Sequence, residues 1–156
     1  MRVGMGFDIH PLSDDPARRL VLGGVQLPGH PGLSGHSDAD VVAHAAADAL
    51  LGAADLGDLG AHFAASDAEW SGADSIGLLT RVAVLVADAG WKPVNVDCSV
   101  VLDAPTLGPH LAGMRSRLSE AVGAPVAVKA KRAEGVGSLG RQEAVACWAV
   151  ALVERP

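Results

Sequence analysis

The chain is short of large side chains, and that shortage limits how its core can be built. Of 156 residues only Phe7, Phe63, Trp70, Trp91 and Trp148 are aromatic, while glycine (19) and alanine (28) together supply 47. An aromatic ring removes roughly 150–250 Å² from water when buried. A core of glycine and alanine gains less per residue and holds only where backbones approach closely. Such a fold is expected to draw further stability from a bound metal or from an interface between copies. Hydrophobic residues at 49% and charged residues at 19% place the chain among globular proteins. Its length gives a prior of one domain, spanning residues 1–156.

The net charge of −6 argues against a general nucleic-acid binder. No apolar run reaches the ~18 residues of a membrane span, and no basic then apolar leader opens the chain. Cys98 and Cys147 lie in apolar, strand-like runs and read as reduced core residues of a cytoplasmic protein. Charge is unevenly placed, at −9 over residues 1–104 and +3 over 105–156. Either this is an accident of a solvated surface, or an acidic half binds metal and a basic half holds an anion. Composition does not choose.

The pattern predicts strands first, then helices alternating with strands. Arg2–Gly6 is a strand leading into Phe7-Asp8-Ile9-His10, and residues 11–18 form a turn-rich loop. Arg19–Leu22 and Val25–Leu27 flank Gly23-Gly24 as a hairpin, followed by a loop over Pro28–Gly35. Ser37-Asp38-Ala39-Asp40 has the form of a capping box, with Ser37 as N-cap of a helix through Val41–Ala54. Residues 55–73 read as loop. A second helix runs from Asp74 or Ser75 to Ala89 with Gly90 as its stop, and a third spans Pro109–Val122 before Gly123. Val94–Leu102 and Val126–Lys131 are strands. A glycine loop at 135–140 precedes a last strand over Ala144–Val153. The order suggests an α+β (α/β two-layer) fold, with one mainly mixed sheet and helices on one face.

Asp8 and His10 are two apart, so on a strand they share a face. Asp40, His44 and Asp48 follow at spacing i, i+4, i+8 on the capped helix. Asp8, His10 and His44 would make an N/N/O set with one open tetrahedral position, as in catalytic zinc sites. Asp40 or Asp48 would then orient an imidazole. Oxygen and nitrogen ligands suit zinc, or manganese if a fourth oxygen joins. The plainer reading stays open, since D-x-H arises by chance and helical histidines are commonly surface or core residues.

Three further features suit an anionic substrate. His36-Ser37 at a helix start would offer free N–H groups to a phosphate, although Ser37 also serves as a cap. Lys129-Ala130-Lys131-Arg132 before Glu134 is a basic cluster, or an exposed strand end. Asp58 in Leu56-Gly57-Asp58-Leu59-Gly60 suits substrate hydroxyls, or is a turn aspartate. Together these point to metal-assisted phosphoryl transfer, with no Ser or Cys nucleophile paired to a base.

On these residues the chain resembles the 2-C-methyl-D-erythritol 2,4-cyclodiphosphate synthase family. The likeness rests on Gly4-Met5-Gly6-Phe7-Asp8-Ile9-His10, on His36-Ser37-Asp38-Ala39-Asp40-Val41-Val42-Ala43-His44, and on Asp48-Ala49-Leu50-Leu51-Gly52-Ala53-Ala54. It continues through Leu56–Gly60, Gly72-Ala73-Asp74-Ser75, Ala104-Pro105, Lys129-Ala130 and Gly140-Arg141. The resemblance implies an enzyme of non-mevalonate isoprenoid biosynthesis. It turns 4-diphosphocytidyl-2-C-methyl-D-erythritol 2-phosphate into the cyclic diphosphate and CMP, the substrate's own 2-phosphate being the nucleophile. It also implies a homotrimer about a central axis with sites between subunits.

Residue by residue, the resemblance makes Asp8, His10 and His44 zinc ligands. His36 and Ser37 contact phosphate, with His36 steadying the transition state. Asp58 takes the methylerythritol hydroxyls, and Gly60, Phe63 and Asp67 belong to the substrate loops. Glu134 binds a second divalent ion, magnesium or manganese, and acts with the transition state. Ala104, Pro105, Thr106, Leu107 and Gly108 form the cytidine segment, and Arg141 lies near the site and the trimer axis. Four departures stand out. Thr106 occupies a usual lysine position. Lys131-Arg132-Ala133 replaces a threonine-rich run, so Arg132 takes the place of a threonine that steadies the transition state. Phe63-Ala64-Ala65-Ser66-Asp67 lacks one carboxylate of its loop, and Ser138 replaces an aromatic. A charge lost at Thr106 and regained at Lys131 or Arg132 would keep the phosphate side basic. Two other readings are a non-catalytic trimeric binder of metal or metabolite on the same scaffold, and a zinc phosphohydrolase. No membrane or nucleic-acid partner is expected.

Overall fold

The computed structural model describes residues 1–64 and 66–155. Strand β1 (Arg2–Pro11) runs past the expected end at Gly6, because pairing with β6 (Ala144–Glu154) continues as far as Pro11 opposite Ala144. Strand β6 pairs antiparallel with β4 (Lys92–Val101), and β4 pairs parallel with β5 (Val126–Lys131). The four form one mixed sheet in the order β1-β6-β4-β5. Strands β2 (Arg19–Leu22) and β3 (Val25–Pro31) form a separate two-stranded sheet. Residues 28–31, expected as loop, remain in β3 because Pro31 still pairs with Arg19.

Helices α1 (Val41–Ala54), α3 (Ser75–Asp88) and α4 (Leu111–Val122) are the three long ones. The segment 55–73 is not loop throughout. It holds a short helix α2 (Leu59–His62) and a helical turn at Ala68–Trp70, each started by an aspartate, Asp58 and Asp67, that accepts a backbone N–H. The glycine loop likewise contains a one-turn helix α5 (Gly137–Gly140). Among the described residues no helix is long and apolar enough to cross a membrane.

The cap of α1 is Asp40, not Ser37. Ala39 has a φ of 59°, left-handed, so the chain cannot turn helical before Asp40. Ser37 Oγ instead accepts from Ala39 N at 3.1 Å. The Asp40 carboxylate is fully buried and accepts from four backbone donors: Val42 and Ala43 in the helix, and Gly23 and Gly24 in the β2–β3 turn. It therefore fills the helix N-terminus where a phosphate was expected, and it fastens the hairpin to α1.

Helix α1 is buried on nearly every side, between the sheet and α3. Gly4 and Gly6 let it lie against β1. A methyl group at Gly6 would overlap the Ala45 carbonyl oxygen and stand 2.6 Å from Ala49 N, and one at Gly4 would overlap Ala49 O and stand 2.9 Å from Ala53 Cα. This is the close backbone approach that the glycine–alanine composition demands. Cys98 and Cys147 are free and buried in the same core. Gly6→Ala is expected to destabilise the fold by about 3 kcal/mol, because the clash is with backbone that cannot rotate away. Urea unfolding measures it, and an unchanged midpoint would refute the close packing.

Candidate metal centre

The approach of α1 to β1 brings His44 over Asp8 and His10. The three donor atoms are Asp8 Oδ2, His10 Nε2 and His44 Nδ1. The carboxylate oxygen lies 3.1 Å from the His10 nitrogen and 3.0 Å from the His44 nitrogen. All three lie within 4.8 Å of one another. This is the trio the sequence singled out.

The outer nitrogens decide what the inner ones offer. His10 Nδ1 lies 2.7 Å from the Ser34 carbonyl, which can only accept, so Nδ1 carries a proton; Nε2 offers its lone pair to a metal in the neutral ring, or a second proton to Asp8 when no metal is bound. His44 Nε2 contacts Ser75 Oγ at 2.8 Å and Ser37 Oγ at 3.2 Å. Burial works to raise the Asp8 pKa, but hydrogen bonds and charge from His10 and His44 outweigh it and hold the carboxyl well below its usual range. Burial works to lower His10, and the Asp8 carboxylate outweighs it, so the imidazole stays basic. A ring proton bridges each of these contacts of about 3 Å when no metal is present, and a divalent ion taken up by the three donors would replace those protons. The donor set, two imidazoles and one carboxylate, fits zinc or a similar divalent metal.

Neither Asp40 nor Asp48 orients an imidazole, as the helical spacing had suggested. Asp40 is occupied as the cap. Asp48 Oδ1 accepts from Leu59 N at 2.7 Å and so holds the start of α2 against α1. Its pKa is raised, first by burial and then by the nearby negative charges of Asp58 and Asp8. Asp58 Oδ1 accepts from Ala61 N at 2.8 Å.

The trio opens on a cavity of about 420 Å³ that Ser37, His36, Asp58, Gly60 and Phe63 also line. His36 Nε2–H donates to the Asp67 carbonyl at 2.9 Å, which ties the cavity wall to the next loop. Ala65 of that loop lies outside the described residues. Trp70, overlooked in the sequence, lines the cavity edge-on to Phe63 with ring centroids 5.1 Å apart.

A second cavity of about 250 Å³ lies at the other edge of the sheet. Pro105, Thr106, Leu107, Gly108, Lys131 and Arg132 line it, with Ala104 beside Pro105. Arg132 Nη2 stands 3.4 Å from Thr106 Oγ1, so the two departures from the family pattern meet. Glu134, Ser138 and Arg141 lie on the exposed segment after β5 and line neither cavity among the described residues. Arg141 pairs with Glu143 at 2.6 Å.

Fold and site define a class of α+β protein with an Asp–His–His cluster able to hold a metal, set between the first strand and the central helix. The chain belongs to the YgbB family, whose family model matches residues 1–154. A relative from Salinibacter ruber named 2-C-methyl-D-erythritol 2,4-cyclodiphosphate synthase is 52% identical, over 99% of each chain. One of the same name from Symbiobacterium thermophilum is 49% identical over 98% of each. Among solved structures, the bifunctional IspDF of Campylobacter jejuni superposes with a TM-score of 0.93 at 34% identity, covering 99% of this chain and 42% of that one. A CDP-bound 2C-methyl-D-erythritol-2,4-cyclodiphosphate synthase gives 0.87 at 35% identity, covering 98% of this chain and all of that one.

His44→Ala removes one of three ligands. Its metal content, read by atomic absorption after dialysis against zinc, is expected to fall from about one ion per chain to a small fraction of that. Retention of full stoichiometry would remove His44 from the centre.

Proposed function

We propose that the chain converts 4-diphosphocytidyl-2-C-methyl-D-erythritol 2-phosphate into 2-C-methyl-D-erythritol 2,4-cyclodiphosphate and CMP, a step of non-mevalonate isoprenoid biosynthesis. It is a phosphorus–oxygen lyase. The observation that carries the reading is the Asp8–His10–His44 centre opening on the same cavity as Ser37 and Asp58, in a chain whose relatives carry that enzyme's name. A relative solved with CDP supports a cytidine-linked substrate.

In the reaction an oxygen of the 2-phosphate bonds to the β-phosphorus, and the bond from that phosphorus to the bridging oxygen breaks. CMP leaves with the electron pair. The nucleophile belongs to the substrate, so the protein supplies alignment and charge more than acid–base chemistry. A divalent ion, zinc by its ligands, held by Asp8, His10 and His44, and a second, magnesium or manganese, at Glu134 would offset the repulsion between the phosphates. His36 and Ser37 bind phosphate at the cavity wall. The Asp58 oxygen opposite its capping oxygen accepts from the methylerythritol hydroxyls, with Gly60, Phe63 and Asp67 closing that side.

The basic cavity serves the nucleotide phosphates. Lys131 and Arg132 replace the charge missing at Thr106, and a guanidinium donates a fork of charged hydrogen bonds. Arg132→Ala is expected to weaken CDP binding about tenfold in a calorimetric titration, the worth of one charged hydrogen bond. Unchanged affinity would refute the swap.

We infer that one substrate uses both cavities across a junction between two copies of the chain. Ile9, Ala146, Val101 and Lys131 lie in one row across the sheet. His10 and Lys131 are thus three strand spacings apart, about 14 Å, at opposite edges. A ring of copies sets the β5 edge of one against the β1 edge of the next. An exposed apolar row, Val3, Met5, Phe7 and Ile9 on β1 with Trp148 and Val150 on β6, gives such an assembly its inner face. We infer that these copies form the homotrimer that the family resemblance implies, with Arg141 toward its axis. Placing Glu at both Met5 and Val150 is expected to give monomers by sedimentation and to abolish turnover; trimers in that variant would refute this face.

The deciding assay supplies the cytidine substrate with zinc and magnesium and follows phosphorus by NMR. Release of CMP with the cyclic product is expected. CMP with a linear product would mean a hydrolase, and binding without CMP a non-catalytic protein.

A further inference from the structure

Two side chains that no step above employs meet the outer face of the metal centre. Asp38 lies between the cavity wall and α1, and Ser75 is the first residue of α3. Ser75 is 1% exposed. The Asp38 carboxylate accepts from Asp40 N at 3.1 Å, from Ser75 N at 3.2 Å, and from the Ser75 hydroxyl in a very short hydrogen bond. A carboxylate has no proton to give, so the hydroxyl hydrogen of Ser75 points at Asp38. Ser75 Oγ is left with lone pairs only, 2.8 Å from His44 Nε2. It can therefore only accept there, and His44 Nε2 must carry the imidazole hydrogen.

We propose that Asp38 and Ser75 are positioning residues, which fix the His44 tautomer so that Nδ1 presents its lone pair to the metal. The proposal rests on the metal reading of Asp8, His10 and His44. Direction enters the relay from one end. The acceptor-only carboxylate orients the hydroxyl, and the hydroxyl orients the ring. Without Asp38, Ser75 is free to turn its hydrogen toward Nε2 and place the ring hydrogen on Nδ1, where it blocks the ligand position. On the His10 side a backbone carbonyl does the same work and no side chain can be varied. On the His44 side the control is in side chains from two other elements, which join the metal ligand to α3.

The relay also affects Ser37. Its Oγ accepts from Ala39 N and lies 3.2 Å from the His44 Nε2–H. It also lies 3.3 Å from Ser75 Oγ, whose own hydrogen is given to Asp38, so the Ser37 hydroxyl donates to Ser75 and belongs to the same relay.

Nitrogen-15 NMR of the zinc-loaded wild type reads the tautomer directly. A proton on His44 Nε2 with metal on Nδ1 is expected, and the reverse arrangement overturns the proposal. Zinc affinity is then measured by competition with a chromophoric chelator for Ser75→Ala, Asp38→Asn and Ser75→Thr, each checked for native circular dichroism. Ser75→Ala and Asp38→Asn are expected to bind zinc about 10- to 100-fold more weakly, the usual effect of losing an outer partner of a ligand. Ser75→Thr, which keeps the hydroxyl, is expected to restore affinity. Cobalt-loaded Ser75→Ala should also show a shifted visible spectrum, which a general loss of stability would not produce. Affinities within twofold of wild type in Ser75→Ala and Asp38→Asn overturn the relay. A wild type that binds no zinc overturns the metal reading itself, which separates the two failures.

Discussion

Two missing methyl groups set the distance between β1 and α1, and the rest of the molecule follows from that distance. Gly4 and Gly6 face the Ala45–Ala53 stretch of the helix, and no larger residue fits between the backbones. A helix seated so low is covered on nearly every side and can use alanine where other proteins use leucine. The low seat also carries His44 down to the level of Asp8 and His10. The packing of the helix and the gathering of the three donor side chains are therefore one geometric fact. A helix one methyl layer higher would have both a looser core and an imidazole out of reach.

Polar side chains then hold the seat in register. Asp40 joins the helix start to the β2–β3 turn through four N–H donors, and Asp48 joins it to α2. Arg18 reaches back to the Leu33 and Ser37 carbonyls, so the loop after β3 is tied where it hands a carbonyl to His10. Around the centre, backbone and side-chain acceptors take up the outer imidazole hydrogens. The inner atoms of Asp8, His10 and His44 are left facing one another at about 3 Å, where either ring protons or a single divalent ion can bridge them.

Much of this was legible in the sequence. The period-2 pair Asp8 and His10, the helical His44, and the stops at Gly90 and Gly123 declare themselves locally. The cap of α1 did not, because Ser37-Asp38-Ala39-Asp40 offers several capping side chains and the choice turned on the left-handed backbone at Ala39. Asp48 stood on the expected face, but its partner, Leu59 N, belongs to a helix too short to show periodicity. Asp38 and Ser75 are 37 residues apart and both read as turn or helix-start residues; only the packing of α3 on α1 brings them together. The separation of the two cavities was hidden for a similar reason. Residues 104–108 and 131–132 converge at the β5 edge, and strand order cannot be read from spacing.

Strand β1 carries two messages in alternation. Its even positions, Gly4, Gly6, Asp8 and His10, seat the helix and meet His44, while its odd positions, Val3, Met5, Phe7 and Ile9, stand in the exposed apolar row. A strand has only these two sides. Inserting or deleting a single residue inside the strand, between Gly6 and Asp8, would put its two halves out of phase, so that either the glycines leave the helix or the carboxylate and imidazole turn outward. This ten-residue stretch can thus vary by substitution at its odd positions but not in length, and its reading frame along the sheet is as binding on the protein as the identity of any one ligand.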